Sequence, residues 1–222
     1  MIIKYFYRAA WVLFIGGGIA LGANLFAAPQ PLPRSSMGSM GGMKMGPIPG
    51  HLPSAGKLVN YHSARRFVAA ANREGTVATH GKDPLLTFEG KAVRINMIAV
   101  QPGFPDQTFE LHKLVDPAIA IQSGAKVTIS LLNMDYGPGM LHGLVIGKAR
   151  PPYHMVVVLP VKHQLVQMPL ILPRLKKSVT KSHYFLERAR FTAPKRPGTY
   201  YYFCQMPMHA KSGMYGKFII LK

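Results

Sequence analysis

The chain has one cysteine and few acidic residues, and its sequence shows no long amphipathic helix. A single cysteine in 222 residues excludes a disulfide framework, cysteine-paired zinc sites, iron–sulfur clusters and any dinuclear centre that needs two thiolates. Only 8 Asp and Glu residues accompany 27 Lys and Arg residues, which gives a formal net charge of +19. Hydrophobic residues make up 48% of the chain, so a packed core is expected and wholesale disorder is excluded.

The excess of basic residues permits two interpretations. A strongly basic protein can bind nucleic acid, anionic lipid or an acidic partner. The basic residues are scattered, however, and no RNP-like, helix-turn-helix or zinc-finger pattern accompanies them, so we do not expect nucleic acid binding. The shortage of carboxylates leaves few groups whose protonation would unfold the protein in acid. The composition is therefore typical of a protein that works in an acidic medium outside the cytoplasm.

An uncharged run at residues 9–28, AAWVLFIGGGIALGANLFAA, indicates export. As a helix it would be about 30 Å long, which matches the hydrocarbon thickness of a bilayer. Lys4 and Arg8 precede it and place the N-terminus inside and the rest of the chain outside. A cleaved signal peptide over residues 1–28 is the alternative, although its apolar region would be shorter. We therefore expect a periplasmic protein anchored to the inner membrane.

Residues 29–56 are rich in proline and glycine, which predicts a flexible tether between the anchor and the rest of the chain. Within it lie four closely spaced methionines, Met37, Met40, Met43 and Met45. Thioethers are soft ligands that prefer Cu(I), and they do not protonate in acid. Because their spacing is loose, a low-complexity spacer is the favoured interpretation and a Cu(I) site is the alternative.

Residues 57–222 have the size of one domain, and their patterns are mostly those of β-strands. A short helix is predicted over residues 61–72, where apolar residues recur at helical spacing. After it come short segments rich in β-branched and aromatic residues, separated by Gly and Pro. An all-β sandwich or barrel is therefore the expected fold. The predicted strands are 92–100, 118–121, 126–132, 143–146, 155–159, 183–191, 199–203 and 215–221.

The single cysteine lies in a segment whose spacing is typical of a metal site. Cys204, His209 and Met214 follow one another at intervals of five residues, in a Pro-containing loop between two predicted strands. A thiolate, two imidazoles and a weak axial thioether are the ligands of blue copper centres. His142 is the best candidate for the second imidazole, because it follows the loop 133–141 and opens a predicted strand. Singly, each residue type more often packs or is solvated, but together they predict one copper ion.

Three blocks of the sequence resemble the rusticyanin family, the acid-stable blue copper proteins of iron-oxidising acidophiles. The third block, GTYYYFCQMPMHAKSGMYGK at 198–217, matches almost residue for residue, and the other two match less specifically. The resemblance covers roughly residues 57–222, so the anchor and the tether lie outside it. The first two blocks are 102–105 with 109–112, and 129–142 with 151–153.

The resemblance implies the fold, the ligands and the role of the family. The fold would be a cupredoxin, a Greek-key β-sandwich, with an N-terminal extension packed against it. One type 1 copper ion would be held by His142, Cys204, His209 and Met214. The protein would be a single-electron carrier and not an enzyme, working in the periplasmic respiratory chain of an acidophile that oxidises iron or sulfur. Its partners would be a c-type cytochrome, a terminal cytochrome oxidase, or both.

The chain departs from the family at positions that bear on the copper site. Asp135 lies near a family asparagine that braces the site. A carboxylate there would lower the reduction potential if ionised, or act as a hydrogen-bond donor if protonated. Gly143 stands where the family has a hydroxyl residue, and Met208 stands where it has glycine. The basic stretch 174–190 also differs. These differences are consistent with a paralogue associated with a terminal oxidase.

A second function of another class is a copper-handling protein that delivers Cu(I) to a membrane oxidase. The Met-rich tether and the membrane anchor favour it, and it predicts weakly bound, exchangeable Cu(I) without strong colour. A copper enzyme is the least favoured interpretation, because the sequence has no His-x-His pair and no second cluster of histidines.

Overall fold

The structure is a computed structural model, and it describes residues 56–80 and 83–222. The predicted anchor 9–28 and the tether 29–56, except for its last residue, lie outside the described residues. Within the part that is described, no helix is long and apolar enough to cross a membrane.

The described chain contains one helix and thirteen strands, so the predicted all-β class is confirmed for this part of the protein. In chain order the elements are β1 Lys57–Asn60, α1 Tyr61–Ala71, β2 Thr76–His80, β3 Asp83–Phe88, β4 Ala92–Ala99, β5 Phe109–Leu111, β6 Leu114–Val115, β7 Ala118–Gln122, β8 Lys126–Asn133, β9 Val145–Gly147, β10 Val166–Gln167, β11 His183–Thr192, β12 Gly198–Phe203 and β13 Tyr215–Leu221.

The strands form two mixed sheets that share one hydrophobic core. The first has the order β1-β11-β8-β4-β5-β6, and the second has the order β10-β9-β12-β13-β7-β3-β2. Side chains alternate between the faces of a strand, so each sheet turns one of its faces toward this core. Ile95 and Ile129 from the first sheet and Ile119 and Phe218 from the second are fully buried in the same cluster. This sandwich packing confirms the layered architecture that the short strands predicted.

The N-terminal segment packs against the outside of the first sheet, as the family resemblance implied. Strand β1 pairs antiparallel with β11, and helix α1 follows it directly. The helix begins after Asn60, whose side-chain oxygen accepts a hydrogen bond from the amide of Ser63 at 2.9 Å. Its buried face forms a second cluster with Ile98, Leu132 and Tyr184 of the sheet. The helix predicted over 61–72 is thus confirmed to within one residue.

Two strand predictions need correction. The segment 155–159 is not a strand but a series of bends. Val157 and Leu159 pack against the cluster around Tyr153 and Phe203, whereas the other three residues of the segment are exposed. The strand predicted over 143–146 is displaced to Val145–Gly147, because the chain before it forms only an isolated bridge to another loop. The hairpin of β2 and β3 was not predicted at all.

Candidate metal centre

The loop 204–214 carries three of the predicted ligands and joins two neighbouring strands. Cys204 follows β12 directly, and the chain returns along β13, which pairs antiparallel with β12. The amide of Cys204 donates to the carbonyl of Met214 at 3.1 Å, and the amide of Met214 donates to the carbonyl of His209 at 3.0 Å. These bonds close the loop on itself and hold the three residues in one compact turn.

His142 reaches the same end of the sandwich from a different part of the chain. It exchanges two backbone hydrogen bonds with Ile171, at 3.3 and 2.9 Å. Strand β9, which begins three residues later, pairs with β12 so that Val145 lies opposite Phe203. Continued by one residue, that register places Cys204 opposite Leu144, two residues after His142, so both ligands lie at the same end of the sandwich.

The structure brings His142, Cys204 and His209 together with donor atoms that face one another. The Sγ atom of Cys204 lies 3.5 Å from Nδ1 of His209 and 3.9 Å from Nδ1 of His142. All three donor atoms lie within 4.8 Å of one another, and all three residues are buried. Met214 is also fully buried, in the same core cluster as Cys204.

A carboxylate completes the surroundings of His142. Nε2 of His142 lies 2.9 Å from Oδ2 of Asp135, and both side chains are buried. A carboxylate accepts a hydrogen bond, so Nε2 donates to Asp135 and Nδ1 is the nitrogen that faces Cys204. The position of Asp135 in the loop suggested a brace, but only the fold shows that it binds His142 directly.

The hydrogen bonds at the site decide the protonation of the metal-free centre. Burial opposes protonation of His142, but hydrogen bonds with Asp135 and Cys204 outweigh it and raise the pKa of the imidazole to about 9. Burial likewise opposes ionisation of Cys204, but hydrogen bonds with both histidines lower the pKa of the thiol to about 6. At neutral pH a thiolate therefore faces an imidazolium, and a bound cation would replace the proton between them.

The donor set is the one found in blue copper sites, a thiolate and two imidazoles with a thioether nearby. A thiolate and two imidazoles exclude Mg²⁺ and Ca²⁺, which take oxygen ligands. Among the described residues this is the one cluster of three or more His, Cys, Asp or Glu that could hold a metal ion. None of the other histidines whose side chains are described joins it; His112, for example, lies in the turn after β5 with a φ of 52°.

No family model matches the chain. Two curated relatives are rusticyanins. The chain is 38% identical over 135 residues to the rusticyanin of Acidithiobacillus ferridurans, an alignment that covers 61% of this chain and 66% of the relative, just under two thirds. It is 37% identical to a rusticyanin of Acidithiobacillus ferrooxidans, where the alignment covers 61% of this chain and 80% of the relative.

The chain belongs to the rusticyanin family. Solved structures of the family agree with this assignment. The 1.27 Å structure of rusticyanin from Thiobacillus ferrooxidans superimposes with a TM-score of 0.57 at 30% identity, over 77% of this chain and 100% of that one. Reduced rusticyanin at 1.9 Å superimposes with a TM-score of 0.54 at 32% identity, over 74% of this chain and 99% of that one.

Family membership and the donor set agree on the cofactor. Rusticyanins are blue copper proteins, and the buried residues of this site are a thiolate, two imidazoles and a nearby thioether. The described domain is therefore a rusticyanin-like blue copper cupredoxin, and one copper ion is its cofactor.

Proposed function

We propose that this protein is a single-electron carrier whose copper ion is bound by His142, Cys204, His209 and Met214. The observation that carries the proposal is the convergence of three donor atoms within 4.8 Å of one another in the metal-free protein. A copper ion held there would supply a one-electron couple. The thiolate of Cys204 and the imidazoles of His142 and His209 would hold it, and the thioether of Met214 would be a weak further donor that favours Cu(I).

The burial of the ligands supports electron transfer rather than catalysis on a substrate. His142, Cys204 and Met214 have no exposed surface, so a substrate would reach the metal only if the protein opened. An electron needs no such access. The two ends of the loop 204–214 are tied to paired strands, which would keep the ligands in place as the charge of the metal changes.

Among the four proposed ligands, His209 is the one with exposed surface. It is 5% exposed, and the neighbouring Met208 is 42% exposed. The amide of Met208 donates to the carbonyl of Met155 at 2.7 Å, and Met155 and Val156 are also exposed. We propose that the exposed apolar surface formed by Met155, Val156 and Met208 is the docking face for a c-type cytochrome or a terminal cytochrome oxidase.

The charge of the chain supports an acidic partner. Lys148, Arg150, Lys162 and His163 line a surface cavity of about 390 Å³ whose lining contains no carboxylate. Such a basic surface would steer an acidic protein toward the domain, and the rate of association would fall as the salt concentration rises.

Two buried carboxyl groups support an acidic working environment. Burial raises the pKa of Glu110 to about 7 and that of Asp116 to about 8. Both groups are therefore neutral in acid, where neutrality lowers the cost of burying them.

We propose a periplasmic location, with residues 1–28 as an inner-membrane anchor or signal peptide, 29–56 as a tether and 57–222 as the cupredoxin domain.

The test is the visible spectrum of the purified full-length protein with Cu(II) at acidic pH, followed by a redox titration. An intense thiolate-to-copper band and a reversible one-electron couple would support the proposal. Exchangeable Cu(I) without such a band would contradict it and favour delivery of copper to an oxidase.

A further inference from the structure

A basic segment before strand β11 holds the loop that carries Asp135. The amide of Arg174 donates to the carbonyl of Asp135 at 2.9 Å, and Nη1 of Arg174 donates to the carbonyl of Met134. Arg174 therefore donates hydrogen bonds to two consecutive carbonyl groups of the loop, one from its backbone amide and one from its side chain.

The other two nitrogens of the guanidinium group also donate hydrogen bonds. Nε donates to the carbonyl of Lys176 and Nη2 to the carbonyl of Lys177, both at 3.2 Å, and the group lies 5.2 Å above the ring centre of Tyr136. These partners are three backbone carbonyls and an aromatic face. Such a set requires the flat, forked donor pattern of arginine, which a lysine ammonium cannot reproduce.

The orientation of the Asp135 carboxylate depends on this backbone. The amide of Asp135 donates to Oδ1 of Asn133 at 3.0 Å, and the amide of Tyr136 donates to Oδ1 of Asp135 at 2.7 Å. These two bonds leave Oδ2 directed at Nε2 of His142. Movement of residues 134–136 would therefore turn the carboxylate away from the imidazole.

We propose that Arg174 is a positioning residue of the copper centre, which holds the Asp135 carboxylate on His142 by clamping the backbone of residues 134–136. The inference rests on the proposed function, because its consequence is a property of the copper site. A carboxylate hydrogen-bonded to a ligating imidazole makes that imidazole a stronger donor, which stabilises Cu(II) and lowers the reduction potential.

The clamp has to be distinguished from the positive charge of Arg174. A nearby cation disfavours Cu(II), so loss of the charge alone would lower the potential. Loss of the clamp would raise it. Arg174→Lys keeps the charge and removes the fork, so the two roles predict different results: an upward shift for the clamp and no shift for the charge.

The first test compares the reduction potentials of the full-length copper protein, Arg174→Lys, Asp135→Asn and the double variant. We expect both single variants to shift the potential upward. If Arg174 acts through the carboxylate, Arg174→Lys will have little further effect in the Asp135→Asn background. An unchanged potential in Arg174→Lys, or shifts that simply add, would overturn the proposal.

Two further variants complete the comparison, one as a control and one as a milder disturbance of the same loop. Arg188→Lys alters an arginine on β11 that bonds Ser130 and not the loop, and it should leave the potential unchanged. Tyr136→Ala removes only the aromatic face under the guanidinium, at a residue that is 43% exposed, and it should give a smaller upward shift. It keeps the proposal testable if Arg174→Lys fails to fold.

A second test needs no copper. In the metal-free protein the Nε2 proton of His142 should exchange slowly with solvent, because it is buried and bonded to Asp135. NMR should show exchange at least about tenfold faster in Arg174→Lys, with the core amides still protected. Unchanged exchange would contradict the clamp even if copper binds as proposed, whereas a missing blue band would contradict only the proposed function.

Discussion

Asp135 and His142 are joined by a 2.9 Å contact between Oδ2 and Nε2, which directs the opposite nitrogen of the imidazole toward Cys204. The contact orients a ligand before any metal arrives. Substitution Asp135→Asn should therefore keep the blue site but weaken Cu(II) binding by about 10–100-fold, the usual effect of removing such a partner. Competition with a Cu(II) chelator would measure it. Unchanged affinity would mean that the carboxylate does not support the ligand.

The thiolate of Cys204 should be the source of the visible colour. We expect Cys204→Ser to abolish the intense absorption band, because a hydroxyl oxygen gives no thiolate-to-copper charge transfer. The serine variant should still fold, as judged by circular dichroism, since the change in volume is small. Retention of the band in a folded Cys204→Ser protein would refute thiolate ligation.

Met214 should tune the potential rather than hold the metal. In Met214→Leu we expect copper to remain bound and the reduction potential to rise, because an apolar side chain replaces a weak axial donor at a fully buried position. Met168→Leu is a matched control, since Met168 is equally buried in the same core cluster and lies outside the loop 204–214. A large fall in the potential of Met214→Leu, or an equal shift in the control, would show that the axial assignment is wrong.

The buried carboxyl groups of Glu110 and Asp116 should make the metal-free domain more stable in acid than at neutral pH. Burial raises the pKa of Glu110 from 4.5 to about 7, against partial compensation by hydrogen bonds from Thr108 and Gln101. The folded protein therefore retains a proton that the unfolded chain releases above pH 4.5. The stabilisation is fully present below that pH and is lost as the pH rises through about 7.

For Glu110 alone this loss should reach about 3 kcal/mol in the free energy of unfolding. Urea denaturation of the metal-free protein between pH 3 and pH 8 would measure it, and the Glu110→Gln variant should show a flatter profile. Asp116, whose pKa is raised to about 8 by burial and by the charge of Glu110, should add to the same trend. Stability that rises toward neutral pH in both proteins would contradict the prediction.

Gly143, the departure from the family next to His142, is explained by close packing. A Cβ atom there would lie 2.7 Å from Nε2 of Gln205, which itself donates to the carbonyl of Met168. Gly143→Ser should therefore displace the end of the Gln205 side chain and destabilise the protein by about 1 kcal/mol, the usual net value of the hydrogen bond that is lost. Gly198→Ser is the control, because nothing lies within 4 Å of the added atom. Thermal unfolding would compare them, and equal losses would refute the explanation.

Several features of the fold could be predicted from local patterns because local physics decides them. Apolar residues at helical spacing and the Asn60 cap mark helix α1. Runs of β-branched and aromatic residues mark the longer strands, which are β4, β8, β11, β12 and β13. The segment 155–159 has the same composition and is not a strand. Whether such a run joins a ladder depends on a neighbouring strand with free backbone groups, which is a property of the tertiary structure.

By itself, the sequence determined the nature of this protein's metal chemistry. One cysteine, spaced from a histidine and a methionine between two strands, leaves few metals and few geometries, because ligand type and number select copper. Only the tertiary structure decided how the site is supported. The bond from Asp135 to His142 and the grip of Arg174 on the loop 134–136 join residues up to 40 positions apart. Such contacts depend on the antiparallel bridge of His142 to Ile171 and on the path of the chain before β11, since folding sets distances that chain order does not.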